Sequence, residues 1–550
     1  MLQRLTGRLC KVQKGTASHD KAGDAMNLRD HLLKALATLP GSRTFHLHVL
    51  LSSPRKFSGL YPYATPTTSG DRKQRRPPRV YAQDVLIVVS EEVLGQRVLV
   101  LAVEAGIFNI PYTKSTVVSI VKVDTTARGK RPAPTTAIMS AFISFFTDPA
   151  TRPQAGVERV WVHLFARSQG QYLFPNSSEF EGKKVLSPEK LCKWWKTVLS
   201  GVTGAGARYW WLIPGLDEEE ALQAIGELHA GASQSSRTPG QWTYGHPYAQ
   251  KEVPLPYVQD ETATPYNLGH FIPSFDDDPK TRFMDEIACT TQVEGVLSPK
   301  RKRPKTSKQA DASSSQGRDD EEEVVAKERE KETRPHGELG KVGTDEFWER
   351  MSFRQECISG ALTGFFVAVF PCPSRSSASS NPLAPEPGQV SFQMNRRVLM
   401  SMRNTDFASI DGAIRGTEIL ENAIRGMCEG TALSTATTIT TTTSTIITNT
   451  ASAETDAPPR LETSDLPPPS FDRRTPERET KRSQLAPPGN VHDDISPNPF
   501  PEPVASTDTY QSFIYGSITT ENREETAGSS AQLETRKVTE LAVRKKVKRK

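Results

Sequence analysis

The sequence lacks the cysteine and histidine spacings that mark metal sites or disulfide frameworks. Among its cysteines no pair has CxxC spacing, and no histidine cluster accompanies them. Neither a zinc site nor a disulfide-rich fold is indicated, so we expect no metal, and free thiols fit a reduced, intracellular compartment. The cysteines are Cys10, Cys192, Cys289, Cys357, Cys372 and Cys428.

Long apolar runs and common catalytic motifs are also missing. No run reaches the roughly 18 apolar residues that a membrane-spanning helix needs, and the N-terminus has no apolar core of a secretory signal. GxGxxG, P-loop, HExxH and GxSxG motifs are absent, and so is a clear QxxGxG pyrophosphate loop. Membrane association is therefore not expected, and single motifs leave the chain unassigned.

Composition predicts one sizeable core with long unfolded stretches, since only 36% of the 550 residues are hydrophobic and 41 are proline. We expect residues 1–25 to be disordered. One domain should comprise residues 26–290 and 343–430. A basic and acidic insert (291–342) and the tail (431–550) should both be disordered.

The first half of the domain is rich in predicted strands. Val85–Val89 and Arg97–Val103 flank a short polar turn, as in a hairpin, and Thr116–Val123 follows. Such near-continuous apolar runs are typical of strands buried on both faces. Ala137–Phe146 is predicted to be a helix packed on that sheet.

His46 and His48 alternate with Phe45, Leu47 and Val49, which indicates a half-buried strand. The two histidines are expected on its solvent face. Metal binding by the pair is the less favoured alternative.

Three clusters could carry chemistry. The Asp276–Asp278 cluster before Pro279-Lys280 could supply a base, or it could be a surface turn that caps a helix. The Trp194-Trp195 pair, on a helix predicted from the cap Ser187, could stack on a cofactor or belong to the core. Residues 128–131 (RGKR), between a strand and a helix, could bind pyrophosphate or form a plain charged loop. The residues alone leave each pair of alternatives open.

Seven stretches, in order, closely resemble one family. They are VKVDTT (121–126), LFAR followed by QYLFPNSS (164–178), LCKWW (191–195), IPG (213–215), WTYGHPY (242–248), DDPKTRF (277–283) and FWERMSFRQEC (347–357). Each is short, but together and at these separations they are specific. They resemble the fungal histone H3 lysine acetyltransferases named for regulation of Ty1 transposition.

The resemblance implies an α/β fold with a central mixed β-sheet surrounded by helices, similar to CREB-binding-protein-type acetyltransferases. It implies acetyl-CoA as cosubstrate and newly synthesised histone H3 as acceptor, at a core-domain lysine near where DNA enters the nucleosome and at tail lysines. The implied partners are H3–H4, a nucleosome-assembly-type chaperone and the anti-silencing-function chaperone. The implied location is the nucleus, in replication-coupled chromatin assembly and the DNA damage response.

The resemblance also assigns roles to residues. The catalytic acid/base would be Asp278 beside Asp277, with Tyr172 and Trp195 in the acceptor-lysine tunnel, and Lys280 would be autoacetylated. Lys184 departs from the family, because a histidine is expected there. The implied acetyl-CoA contacts are Val123, Asp124, Thr125, Lys130, Arg131, Phe165, Arg167, Gln169, Lys183, Lys184, Val185, Leu186 and Trp194.

This set of residues fits the chemistry of lysine acetylation. A lysine ammonium, with a pKa of about 10.4, must lose its proton before it attacks a thioester, and a carboxylate can accept that proton. Aromatic walls would desolvate the amine and lower its pKa.

Two other functions compete. One is a non-catalytic scaffold of the same fold that binds histones or chaperones. The other is nucleic-acid binding through the basic runs 300–305 and 545–550. Those runs lack interleaved aromatic residues, so we expect nuclear import or chaperone docking there instead of direct nucleic-acid binding.

Overall fold

The structure is a computed structural model, and it describes residues 26–64, 78–154, 156–202, 204–227, 242–257, 266–290, 337–354, 357, 362–372, 386–440 and 506–523. A mixed β-sheet runs through this part of the chain. The predicted fold class is confirmed.

The strands are β1 (Gly41–Leu51), β2 (Arg55–Phe57), β3 (Val80–Val93), β4 (Gln96–Ile110), β5 (Ser115–Thr125), β6 (Arg159–Ala166), β7 (Arg208–Leu212), β8 (Trp242–Tyr244), β9 (Gly364–Pro371) and β10 (Tyr515–Asn522). Their order in the sheet is β10-β1-β3-β4-β5-β6-β9-β7-β8, with β2 paired to β3. The pairs β5–β6 and β7–β8 are parallel. The other pairs are antiparallel.

The helices are α1 (Leu28–Leu36), α2 (Thr135–Thr147), α3 (Pro188–Gly201), α4 (Glu218–Ala224), α5 (Pro279–Cys289), α6 (Thr344–Met351), α7 (Phe392–Arg403) and α8 (Ile410–Thr440). The predicted helix 137–146 corresponds to α2, and the predicted cap Ser187 is the N-cap of α3. Within the described residues, no helix is both long and apolar enough to cross a membrane.

The near-continuous apolar strands are explained by helices on both faces of the sheet. On β3, Val85, Ile87 and Val89 pack into a core with α1, α2 and α3. Leu86 and Val88, which point the other way, pack with α7 and α8. Alternate side chains of one strand therefore serve two different cores.

The hairpin between β3 and β4 was predicted correctly, and its turn is a two-residue one. Leu94 and Gly95 both have positive φ, 52° and 78°. This is the backbone of a type I′ turn, whose twist matches that of the strands on either side.

Two predicted boundaries of disorder need correction. The sequence predicts no fold after residue 430, but residues 506–523 are packed on the domain, and β10 pairs with β1 from Gly41↔Asn522 to His48↔Tyr515. We also placed residues 337–342 in the insert, but Leu339 and Val342 are buried beside α5 and α6. Composition predicted disorder there because the few apolar residues of these segments lie among many polar and charged ones.

The predicted exposure of the two histidines on β1 is wrong. His46 and His48 are both buried, because the segment that contains β10 covers that face. Tyr515 and Tyr510 from this segment form hydrogen bonds with His46 and His48, at 2.9 and 3.0 Å.

Candidate active site

A cleft of about 600 Å³ lies where β5 and β6 end. These two strands are parallel, so their carboxyl ends lie at the same edge of the sheet, the usual place for a ligand site in such sheets. The cleft is lined by residues 120–125 of β5, by the residues around the start of α2, and by the chain that follows β6. Side chains of α3 close another wall.

Fourteen of the predicted site residues line this one cleft. They are Val123, Asp124, Thr125, Phe165, Arg167, Gln169, Tyr172, Lys183, Lys184, Val185, Leu186, Trp194, Trp195 and Asp277. They come from positions up to 154 residues apart in the chain, and only the packing of the sheet and α3 brings them together.

Asp124 organises the loop that follows β6. One of its carboxylate oxygens accepts hydrogen bonds from the backbone N–H groups of Tyr172, Leu173 and Phe174, at 2.7, 2.9 and 3.1 Å. The other accepts from the Thr125 N–H at 2.8 Å and from Lys183 Nζ at 2.9 Å. Both oxygens are thus used by the protein, and Asp124 shapes the cleft wall through these bonds.

Lys183 is similarly occupied. Besides Asp124, its Nζ donates to Ser177 Oγ at 2.7 Å, and little of its side chain is exposed. The next three residues, Lys184, Val185 and Leu186, are exposed along the cleft. Two apolar side chains exposed beside a lysine form a surface that suits a ligand with both an apolar and an anionic part.

The paired tryptophans serve both the core and the cleft. Their rings lie 4.6 Å apart at 63°, and Trp195 is buried in the core that also holds α1 and α2. Trp194 Nε1 donates to Thr136 Oγ1 at 3.0 Å, which links α3 to the first turn of α2. Trp195 is therefore a core residue, and both rings also line the cleft, so that stacking on a cofactor stays a prediction.

Tyr172 presents a neutral phenol to the cleft. Burial raises the pKa of its hydroxyl to about 12, so the group keeps its proton at neutral pH. The hydroxyl donates to the backbone carbonyl of Arg167. Tyr172 is therefore not suited to act as a base and contributes a desolvating wall.

Asp277 is the carboxylate of the acidic cluster that faces the cleft. Its backbone has a positive φ of 57°. Its side chain forms ion pairs with Lys122 at 3.0 Å and with Arg282 at 3.5 Å. Sequence reasoning missed both cations, although a single lysine in the apolar run of β5 was a usable signal for Lys122.

Asp278 is buried in the protein interior. It is the N-cap of α5, accepts from the Lys280 N–H at 2.9 Å, and forms an ion pair with Lys280 Nζ. Both residues are more than nine-tenths buried, and neither lines the cleft described above. The helix cap is confirmed, but the capping residue is buried and does not lie at the surface.

Lys130 and Arg131, the predicted pyrophosphate contacts, are exposed beside the cleft and do not line it. Lys130 Nζ donates to the Ser42 carbonyl at 2.8 Å. Arg128 donates to the Phe407 and Ala408 carbonyls and stacks on Phe180. The loop instead lines the cleft with Ala127, Pro132, Ala133, Thr135 and Thr136.

The acidic and histidine residues do not form a metal site in the described ranges, where no group of three or more His, Cys, Asp or Glu side chains could hold an ion. His46 and His48 bond to tyrosines, as noted above.

Comparison with known proteins links this cleft to a family. The model of the histone acetyltransferase KAT11-type domain matches residues 150–423, which contribute most of the cleft wall. The chain belongs to the KAT11-type histone acetyltransferase family. The resemblance to the fungal family named for regulation of Ty1 transposition is confirmed.

Relatives within this family are similar over part of their length. The chain is 28% identical to histone acetyltransferase rtt109 of Aspergillus flavus, over 56% of this chain and 51% of that protein. It is 23% identical to the protein of the same name from Schizosaccharomyces pombe, over 49% of this chain and 56% of that protein. The chain thus spans about half the length of these relatives.

A solved structure shares the fold. The crystal structure of Rtt109 from Aspergillus fumigatus aligns with a TM-score of 0.50 at 22% identity, covering 73% of this chain and 96% of that one.

Proposed function

We propose that this protein transfers an acetyl group from acetyl-CoA to a lysine of histone H3. The observation that carries the proposal is the cleft of about 600 Å³ at the carboxyl ends of β5 and β6, within a KAT11-type domain. It gathers aromatic, cationic and carboxylate side chains from both halves of the domain around one space.

The cleft has the surfaces that acetyl-CoA requires. The pantetheine arm would lie along the edge of β5 and against the exposed apolar pair Val185 and Leu186. The anionic end would meet Lys184, Arg167 and the first turn of α2, where helix N–H groups favour negative charge. When bound, acetyl-CoA supplies the thioester that the acceptor amine attacks.

The acceptor lysine has to lose a proton before attack, because its ammonium has an ordinary pKa of about 10.4. Among the described residues, two carboxylates line the cleft, and both oxygens of Asp124 are bound within the protein. Asp277 is more than half exposed, and we assign to it the first contact with that ammonium. Phe165, Tyr172 and Trp195 form the aromatic surroundings. They would exclude water and so favour the neutral amine.

Asp278 remains the proposed acid/base, on the condition that its carboxylate is released from Lys280. In the unmodified chain its carboxylate is bound to the Lys280 ammonium. Acetylation of Lys280, which we propose this protein performs on itself, would remove that positive charge and free one carboxylate oxygen. Lys280 Nζ also lies 5.1 Å from the Phe365 ring centre and 5.5 Å from that of Phe275. An aromatic face attracts an ammonium at such distances, so acetylation would remove these contacts as well.

The proposed acceptors are newly synthesised H3–H4, at a core-domain lysine near where DNA enters the nucleosome and at tail lysines. The proposed partners are a nucleosome-assembly-type chaperone and the anti-silencing-function chaperone, and the proposed location is the nucleus. Support for these details comes from the motifs shared with the family, such as QYLFPNSS and DDPKTRF.

The test is mass spectrometry of H3–H4 after reaction with the full chain and acetyl-CoA, with and without each chaperone. Acetylated H3 lysines are expected with the wild type. Chaperone binding without any transfer would contradict the proposal and favour a scaffold.

Comparing Asp277→Asn with Asp278→Asn separates the two carboxylates. If Asp278 is the acid/base, its variant loses kcat by roughly a hundredfold or more, whereas Asp277→Asn mainly raises KM for the histone. Normal kcat in a folded Asp278→Asn variant would remove Asp278 from the chemistry.

A further inference from the structure

A buried ion pair lies directly beneath the loop between β5 and α2. Arg43 of β1 binds Glu91 of β3 through two parallel bonds, Nε to Oε1 at 2.8 Å and Nη2 to Oε2 at 2.9 Å. The Arg43 side chain is 1% exposed and that of Glu91 is not exposed at all.

The same two side chains hold the loop. Arg43 donates to the Pro132 carbonyl at 2.7 Å and to the Lys130 carbonyl at 2.9 Å. Glu91 Oε2 accepts from the Lys130 N–H at 3.0 Å. Three backbone groups of residues 130–132 are thereby fixed to two strands of the sheet.

Gly129 allows the loop to approach this closely. A Cβ at this position would lie 2.5 Å from Glu91 Oε2 and 2.8 Å from Val100 Cγ1. Any larger residue would displace the loop from the ion pair.

Stability alone is a weak reason for such a pair. Removing two charges from water offsets most of their attraction, and a packed apolar pair often serves as well. What the ion pair does supply is a fixed position for Pro132. From there the cleft wall continues through Ala133 to Thr135 and Thr136, at the start of α2.

We propose that Arg43 and Glu91 are positioning residues for acetyl-CoA, although neither lines the cleft. By fixing residues 130–132 they set the first turn of α2 where the diphosphate of the donor lies. This inference rests on the proposed function. It states that the ion pair, by holding the loop in place, increases the affinity of the cleft for the nucleotide end of acetyl-CoA.

The experiment compares two acetyl donors in the full-length protein. Acetyl-CoA carries the diphosphate, and acetylpantetheine carries the same thioester without it. In Glu91→Gln, KM for acetyl-CoA is expected to rise about tenfold with kcat unchanged, the pattern of lost binding without lost chemistry. The ratio of variant to wild-type kcat/KM for acetylpantetheine should stay near one.

Two further variants keep the test decisive. Arg43→Lys retains the charge but loses the fork that reaches both carbonyls, so it should show the same donor-specific defect even if Glu91→Gln folds poorly. Asn395→Ala is the control, because it removes buried bonds to the Leu50 and Asp84 carbonyls but does not line the cleft. It should lower stability without changing KM for acetyl-CoA.

Calorimetry with CoA supplies a readout that needs no turnover. Binding should weaken about tenfold in Glu91→Gln and not in Asn395→Ala. An equal loss of kcat/KM with both donors would overturn the inference. Unchanged CoA binding in a folded Glu91→Gln variant would do the same. A wild type that binds CoA but transfers nothing would instead contradict the proposed function.

Discussion

The His48 imidazole on β1 and the Tyr510 hydroxyl lie 3.0 Å apart, although 462 residues separate them in the chain. Tyr515, beside it, contacts His46 in the same way at 2.9 Å. Arg29 of α1 completes the attachment by donating to the Tyr515 carbonyl at 2.9 Å. Residues 506–523 are thus bound to the start of the domain by specific polar contacts as well as by strand pairing.

The burial of His48 predicts a stability that depends on pH. Burial lowers its pKa from 6.5 to about 4, although Glu421 acts in the opposite direction, and His46 and Arg97 add to the lowering. Between pH 6.5 and pH 4, His48 is mostly protonated in the unfolded chain and mostly neutral in the folded chain. The contribution of His48 to stability therefore falls as pH drops from 6.5 towards 4, by about 2 kcal/mol at pH 5.

Urea unfolding at pH 7 and pH 5 tests this with His48→Gln, which keeps a polar side chain but does not titrate. The wild type should lose about 2 kcal/mol more than the variant between the two pH values. An equal loss in both proteins would show that His48 is not the group responsible.

Asp124→Asn is expected to destabilise the protein by roughly 3–5 kcal/mol, because it leaves Lys183 buried without its counter-charge. It also weakens the acceptor of three backbone N–H groups that fix the loop after β6. Chemical denaturation measures the loss. Asp277→Asn is the matched control, since that carboxylate is more than half exposed and its removal should change stability little.

Trp195→Ala is expected to lose about 3–5 kcal/mol of stability, because Trp195 belongs to the main core as well as to the cleft. That loss would obscure any catalytic effect. Trp195→Phe keeps most of the packing and should cost less than about 1.5 kcal/mol, while it still changes the cleft wall. A reduced kcat with nearly unchanged urea unfolding is the expected result, and a wild-type kcat would assign Trp195 to the core alone.

The sequence by itself determined the local structure and most of the site composition. Apolar runs on β3, β4 and β5 predicted strands buried on both faces, because a strand covered twice has no polar side to display. Ser187-Pro188 predicted the start of α3. The motifs shared with the family named fourteen residues that line one cleft.

Only the tertiary structure decided which polar side chains form hydrogen bonds within the protein. Lys130 and Arg128 looked available for a phosphate in the sequence, but carbonyls of Ser42, Phe407 and Ala408 reach them in the fold. The resemblance assigned the acid/base role to Asp278, yet capping α5 turns it towards Lys280 and leaves Asp277 at the cleft. Such choices depend on groups far apart in the chain, and no local pattern encodes them.

The attachment of residues 515–522 to β1 is the clearest case of this kind. Strand pairing is made by backbone groups, which every residue carries, so the sequence of β10 holds little trace of its partner. The alternating histidines predicted a solvent face on β1, and only the fold determined that tyrosines of a distant segment, and not water, cover it.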